Sequence, residues 1–294
     1  MNVLSLFDGM SCGRIALERA GIEVNTYYSS EIDKYAIQVA EANYPDTVHL
    51  GDVRGIVASE LLPIDLLIGG SPCQGFSFAG KQLNFDDPRS ALFFEYVRIL
   101  KEVKPKYFLM ENVRMKKEYQ DIISEALGVE PIAINSNLVS AQNRYRLYWT
   151  NIPGVTQPED KGIMLKDIIE SERVYHTDGK GPTLSTCQGG HREPKILMTP
   201  RGNNPGGLRA LDGETPAMSS SSWQDNNHLT DGLSWRKLTP LECERLQTVP
   251  DNYTNHVSNT QRYKMLGNGW TIDVIAHIFK NIPEPKNNEM LPLR

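Results

Sequence analysis

In the run Gly69-Gly70-Ser71-Pro72-Cys73-Gln74-Gly75-Phe76-Ser77 a cysteine follows an apolar stretch, Ile64 to Ile68, in a turn punctuated by glycine and proline. A sulfur held there lies at the end of a strand, on the ligand-bearing edge of an α/β sheet, and a thiolate in that place is a candidate nucleophile. A tight turn with an incidental cysteine is the other reading. Glu111-Asn112-Val113 ends a second apolar run, Tyr107 to Met110, so a carboxylate there faces the same cleft. A strand-end glutamate also serves as a helix cap or an ion-pair partner. Gln142-Asn143-Arg144-Tyr145-Arg146 precedes the strand-like Leu147 to Thr150. On extended chain, arginines two residues apart point the same way and could grip a base carbonyl, a phosphate or a carboxylate. Surface charge is the plainer alternative. The fourth group is the glycine turn Phe7-Asp8-Gly9-Met10-Ser11-Cys12-Gly13, followed by Glu31 beyond the next strand candidate and Asp52 after Leu50-Gly51. A glycine turn with an acidic residue about 20 positions on is the layout of an adenosine-binding α/β half. There is no GxGxxG and no phosphate-binding Lys-Ser/Thr, which tilts the reading away from dinucleotides and nucleoside triphosphates.

These residues need a scaffold, and the first half of the chain supplies one. Val3 to Phe7, Thr26 to Ser30, Ile64 to Ile68 and Tyr107 to Met110 read as strands. Gly13 to Ala20, Lys34 to Asn43 and Ser90 to Lys101 read as helices between them. Strands alternating with helices predict a parallel sheet covered on both faces, with ligands beyond the carboxyl ends of the strands. Asp8-Gly9, Glu31, Asp52, Ser71 to Gln74 and Glu111-Asn112 lie just after such runs. After about Pro153 the texture changes. Residues 176 to 235 are rich in Gly, Pro, Ser, Asn and Thr and lack helical periodicity, which predicts a loop-rich or β-rich module. Helical signals return at Thr239-Pro240, an N-cap followed by a first-turn proline, and again from about Ile272 to Phe279.

The bulk numbers set bounds. A chain of 294 residues with 39% apolar residues can bury one large core with a smaller lobe. No segment has the roughly 18 consecutive apolar residues of a membrane helix, and Met1 to Gly9 lacks the basic region of a signal peptide. Four cysteines, at 12, 73, 187 and 243, form no CxxC pair. They predict neither a disulfide framework nor a metal site, and they suit a reducing cytoplasm. The net charge of −5 does not advertise nucleic acid, although residues 173 to 237 carry eight Lys/Arg against six Asp/Glu.

Read in order, FDGMSCG, GDVR, GGSPCQGFS, ENV, QNRYR, RKLTPLECERLQTVP and GNGWT resemble the motif series of the C5-cytosine DNA methyltransferase family. The resemblance covers residues 2 to 151 and 236 to 279. Tyr28-Ser29-Ser30-Glu31-Ile32, Leu92-Phe93-Phe94-Glu95 and Ser140-Ala141 also resemble the vertebrate de novo methyltransferases, while the compact size points to a bacterial or phage enzyme acting in the cytoplasm. Two departures touch the expected cofactor pocket: Ser11 where the family often has glycine, and Gly269-Trp270 in place of small aliphatic residues.

The resemblance implies a doubly wound, mostly parallel, Rossmann-like sheet. Residues 1–151 and about 236–294 would form the catalytic and cofactor-binding domain, and about 152–235 a loop- and β-rich target-recognition lobe. It implies methyl transfer from S-adenosylmethionine to C5 of a cytosine flipped out of duplex DNA, without a metal. Cys73 would add to C6, Glu111 would bind N3, Arg144 would neutralise charge at O2, and Arg146 would orient Glu111 or the loop backbone. Ser71, Gln74, Asn112 and Gln142 would sit beside the base. In the cofactor pocket Phe7 would stack on adenine, with Asp8 and Gly9 near the methionine moiety. Glu31, with Ile32 beside it, would meet the ribose, and Asp52 with Val53 the adenine edge. Pro72 and Asn268 would complete the wall. A monomer is expected, with room for a cognate restriction endonuclease as a second partner. A tRNA cytosine methyltransferase on the same fold is the nearest rival, and the length of the recognition region speaks for DNA. An inactive DNA-binding homologue is the other; the intact Cys73, Glu111 and arginines speak against it.

Overall fold

The computed structural model describes residues 1–72, 91–168, 195–198, 207–210, 215–216, 228–230 and 235–283. Cys73, Gln74 and Cys187 lie outside the described residues. The strands of the first half are β1 (Asn2–Leu6), β2 (Thr26–Ser30), β3 (Val48–His49), β4 (Leu66–Gly69), β5 (Tyr107–Val113), β6 (Ile132–Asn135), β7 (Gln142–Asn143) and β8 (Tyr145–Thr150). All but β7 join one seven-stranded sheet in the order β3-β2-β1-β4-β5-β8-β6. The pairs from β3 to β5 are parallel. The far edge differs from the parallel expectation: β8 runs antiparallel to both β5 and β6. A short return from β6 to β8 permits this, since antiparallel neighbours need no crossover helix. The apolar runs are unbroken because the sheet is covered on both sides; Val3, Leu4 and Leu6 are fully buried, as are Leu66, Leu67 and Ile68.

The helices follow from the same pattern. They are α1 (Cys12–Arg19), α2 (Lys34–Asn43), α3 (Ala91–Val103) and α4 (Lys117–Leu127), then α5 (Pro240–Leu246), α6 (Asn259–Asn268) and α7 (Ile272–Phe279). On one face of the sheet Ile15, Ala16 and Leu17 of α1 share a core with Ile272, Ile275 and Phe279 of α7. On the other, Phe93, Tyr96 and Ile99 of α3 pack with Leu67, Phe108 and Trp149. The start of α5 is a reciprocal cap: Glu242 N–H donates to the Thr239 hydroxyl at 3.2 Å, and Thr239 N–H donates to the Glu242 carboxylate at 2.8 Å. Behind it, the buried Glu244 carboxylate accepts from the N–H groups of Asn252 (2.7 Å) and Thr254 (2.8 Å), from the Thr254 hydroxyl and from Arg262 (3.0 Å). This ties the irregular segment after α5 to α6.

Between the two halves, β9 (Lys195–Met198), β10 (Gly207–Ala210), β12 (His228–Thr230) and β13 (Trp235–Lys237) form a four-stranded antiparallel sheet in the order β10-β9-β12-β13. β11 (Thr215–Pro216) pairs with β7. Among the described residues no helix is long and apolar enough to cross a membrane.

Candidate active site

The sheet order changes direction between β1 and β4, which opens a crevice past their carboxyl ends. On the β1 side lies the glycine turn. Gly9 has φ of +59°, and two non-glycine residues around it, Phe7 (+57°) and Ser11 (+62°), are also left-handed. Such backbone persists only where its surroundings over-determine it. Asp8 does this from below: its buried carboxylate accepts from the hydroxyls of Tyr27 (2.7 Å), Ser11 (2.7 Å) and Ser29 (2.8 Å). Burial pushes that carboxyl up, and the hydroxyls of Ser5, Tyr27, Ser11 and Ser29 partly offset the push. Its oxygens thus face into the fold. Glu31 braces the turn from the open side, accepting from the N–H groups of Gly9 (2.8 Å), Ile32 (2.7 Å) and Asp33 (2.9 Å). Beside it Ile32 is 73% exposed among the described residues.

The other expected pocket residues divide. Asp52 is engaged by Arg54, with contacts of 2.5–3.1 Å, and hydrogen bonds from the Arg54 side chain and backbone hold its carboxyl down at about 2. Val53 is buried in the core beneath α3 rather than presented at the surface. Asn268 is exposed, at the last position of α6.

On the β4–β5 side the chain leads through buried Ser71 and half-buried Pro72 to the position before Cys73. Asn112 Nδ2 donates to Ser71 Oγ at 3.3 Å, which ties the ends of the two strands together. Glu111, 8% exposed, stands at that end. Arg146 Nε lies 3.0 Å from Glu111 Oε1, but its N–H is not aimed at the carboxylate and makes no hydrogen bond. The pair is therefore coulombic. The directional contact comes from elsewhere: Trp270 Nε1 donates to Glu111 Oε2 at 3.1 Å. Gly70 makes room for it, since a Cβ there would lie 2.9 Å from Glu111 Oε2 and 3.1 Å from Trp270 Nε1.

Arg144 is 3% exposed and donates to the carbonyls of Gly267 (3.2 Å) and Gly269 (2.9 Å). Burial and the neighbouring Arg146 push its guanidinium down to about 9, so it remains a cation at neutral pH. Gln142 is fully buried and donates to Leu246 O (3.2 Å) and Gln247 Oε1 (3.1 Å), inside the junction with α5 rather than in the crevice. Trp270, expected at the cofactor pocket, is bonded instead to the Glu111 carboxylate, a contact that motif reading did not foresee. Its only trace in the sequence is the large residue after Gly269. Among the described residues no group of three or more His, Cys, Asp or Glu side chains could hold a metal ion. Cys12 and Cys243 are buried, and burial pushes the Cys12 thiol up to about 12.

Sheet order and crevice together define a Rossmann-like α/β enzyme. The family model for C-5 cytosine-specific DNA methylases matches residues 1–148 and 115–284. The type II methyltransferase M1.ScrFI of Lactococcus lactis subsp. cremoris is 32% identical over 308 residues, covering 96% of this chain and 78% of that protein. The type II methyltransferase M.HhaI of Haemophilus parahaemolyticus is 30% identical over 316 residues, covering 98% and 95%. The methyltransferase EhMeth of Entamoeba histolytica shares the fold, with a TM-score of 0.70 at 16% identity over 97% of this chain and 99% of that one. The chain belongs to the C-5 cytosine-specific DNA methylase family. Its activity is that of a DNA (cytosine-5-)-methyltransferase.

Proposed function

We propose that the chain methylates C5 of a cytosine flipped out of duplex DNA, through a covalent bond between Cys73 and C6. Cytosine C5 is too weak a nucleophile to take a methyl group unaided. Addition of the Cys73 thiolate at C6 moves the C5–C6 electron pair onto C5. Glu111, hydrogen-bonded to N3, eases that addition. C5 then takes the methyl group, a base removes the C5 proton, and the electron pair left behind re-forms the double bond as the thiolate departs. Arg146 supplies the cation beside Glu111. Flipping the base costs a few kcal/mol, drawn from binding.

S-adenosylmethionine supplies the electrophilic methyl group when bound. Three features of the crevice suit it: the left-handed turn at Gly9, the Glu31 carboxylate already oriented by backbone N–H groups, and the exposed Ile32. Phe7, Gly9, Glu31 and Ile32 would hold its adenosine and methionine parts, with Pro72 and Asn268 at the wall. Residues of about 152–235 would read the target sequence, and the rest would form the catalytic domain. A monomer suffices for this, and a cognate endonuclease would cut the unmodified form of the same site.

The observation that carries the reading is the convergence of Ser71, Asn112 and Glu111 at the ends of β4 and β5, directly before Cys73. The test is a pool of duplexes carrying 5-fluorocytosine in many contexts. That base accepts the methyl group but has no C5 proton to lose, so the enzyme should remain attached. A denaturation-resistant protein–DNA band should appear with S-adenosylmethionine and vanish in Cys73→Ser. Trapping of fluorinated RNA instead of DNA would make the substrate RNA, and no band with either would remove the covalent mechanism.

A further inference from the structure

The proposed chemistry asks for a carboxyl in one orientation, yet the arginine beside Glu111 provides no directional bond. Arg146 Nε is within 3.0 Å of Oε1 but donates no hydrogen bond to it. Among the described residues, the hydrogen bond to the Glu111 carboxylate is the one from Trp270 Nε1, at 3.1 Å to Oε2. A coulombic neighbour fixes charge but tolerates rotation, whereas an N–H donor fixes direction.

Trp270 is itself held. The carbonyl just before it, Gly269 O, accepts from Arg144 at 2.9 Å. Gly269 sits so close to Cys12 that a Cβ there would lie 3.1 Å from the sulfur. The indole therefore projects from a clamped backbone, and Gly70 leaves it room to reach the carboxylate.

We propose that Trp270 is a positioning residue for Glu111, with Arg144 and Cys12 clamping the backbone that aims it. This rests on the reading of Glu111 as the carboxyl that meets the cytosine. Losing one hydrogen bond to a charged group corresponds to about a tenfold effect or more on rate.

The experiment is a double-mutant cycle on the full chain, read as the single-turnover methylation rate of unmethylated genomic DNA with saturating tritiated S-adenosylmethionine. Trp270→Phe keeps the apolar ring and removes the N–H. It should slow the wild-type enzyme about tenfold, leave the cofactor dissociation constant within about twofold, and cost nothing further in a Glu111→Ala background. A loss that is equal in both backgrounds overturns the proposal, as does a rate within twofold of wild type. Weaker cofactor binding with an unchanged saturated rate also overturns it and moves Trp270 to the cofactor pocket. A Glu111→Ala enzyme as fast as wild type would instead sink the reading of Glu111. If Trp270→Phe does not fold, the indole N–H resonances of the four tryptophans report the same contact. One of them should shift in Glu111→Ala, and no shift overturns the proposal.

Discussion

Glu31 and Asp8 flank one turn and do opposite things with the same functional group. Asp8 turns its carboxylate inward to three hydroxyls, whereas Glu31 faces the crevice and accepts from three backbone N–H groups. Glu31→Ala should therefore weaken S-adenosylmethionine binding by about tenfold or more, measured by calorimetry on the DNA-free protein. An unchanged dissociation constant would remove Glu31 from the cofactor site. Glu111→Gln should lower the methylation rate by about 10²-fold, the usual scale for an acid–base group, while DNA affinity in a gel-shift assay changes far less. Their places near strand ends could be read from the sequence, since Glu31 follows the strand candidate Thr26 to Ser30 and Glu111 the apolar run Tyr107 to Met110. The surroundings of Gln142 could not: expected beside the base, its amide is buried against Leu246 and Gln247, a placement that only the packing of α5 creates. The Trp270–Glu111 bond spans 159 positions and has no local signature.

At the scale of elements, Arg19 at the end of α1 and Lys161 both reach Asp273 in the first turn of α7, at 2.5 Å and 2.7 Å. Burial alone would raise the Asp273 carboxyl, but hydrogen bonds from Lys161 and Arg19 outweigh it and hold the carboxyl low. A carboxyl whose folded pKa is depressed stabilises the fold above its unfolded value, near 4, and loses that contribution as the pH falls. Asp273→Asn should thus lower stability by about 1 kcal/mol at pH 7, and the gap to wild type should close as the pH drops through 4. Urea denaturation at a series of pH values tests this; a gap independent of pH would exclude the ion pairs as its source. Strands β4 and β5 were legible from their apolar runs, β1 from the short run Val3 to Phe7, β2 from its Thr-Tyr-Tyr start, and α5 from its cap. By contrast α6 carries charged and polar residues at most positions, so tertiary packing rather than periodicity marks it. The antiparallel direction of β8 has no sequence signal, because the side-chain pattern of a strand is the same in either direction.

Across the whole molecule, the segment of about 152–235 leaves after β8 and returns just before α5, both on the same body. We expect it to determine which duplexes are bound while the chemistry stays with the sheet. Exchanging residues 155–235 for the corresponding segment of a related enzyme should change which fluorinated duplexes are trapped and preserve dependence on Cys73. Sequencing the trapped DNA reads the result, and an unchanged site would place recognition elsewhere.

The turn around Gly9 is completed from the far end of the chain. Tyr253 hydroxyl donates to Met10 O at 2.7 Å, Gly269 packs against Cys12, and α7 covers α1. A ribosome adds roughly 5–20 residues per second. The first strand and helix therefore exist for about ten seconds to a minute before their partners emerge. During that interval the apolar face of α1 is bare, and Tyr253, which donates to Met10 O, has not been made. Contacts so distant in sequence also form slowly. The Tyr253 contact with Met10 and the packing of α7 on α1 therefore close only after most of the sequence between them has been made.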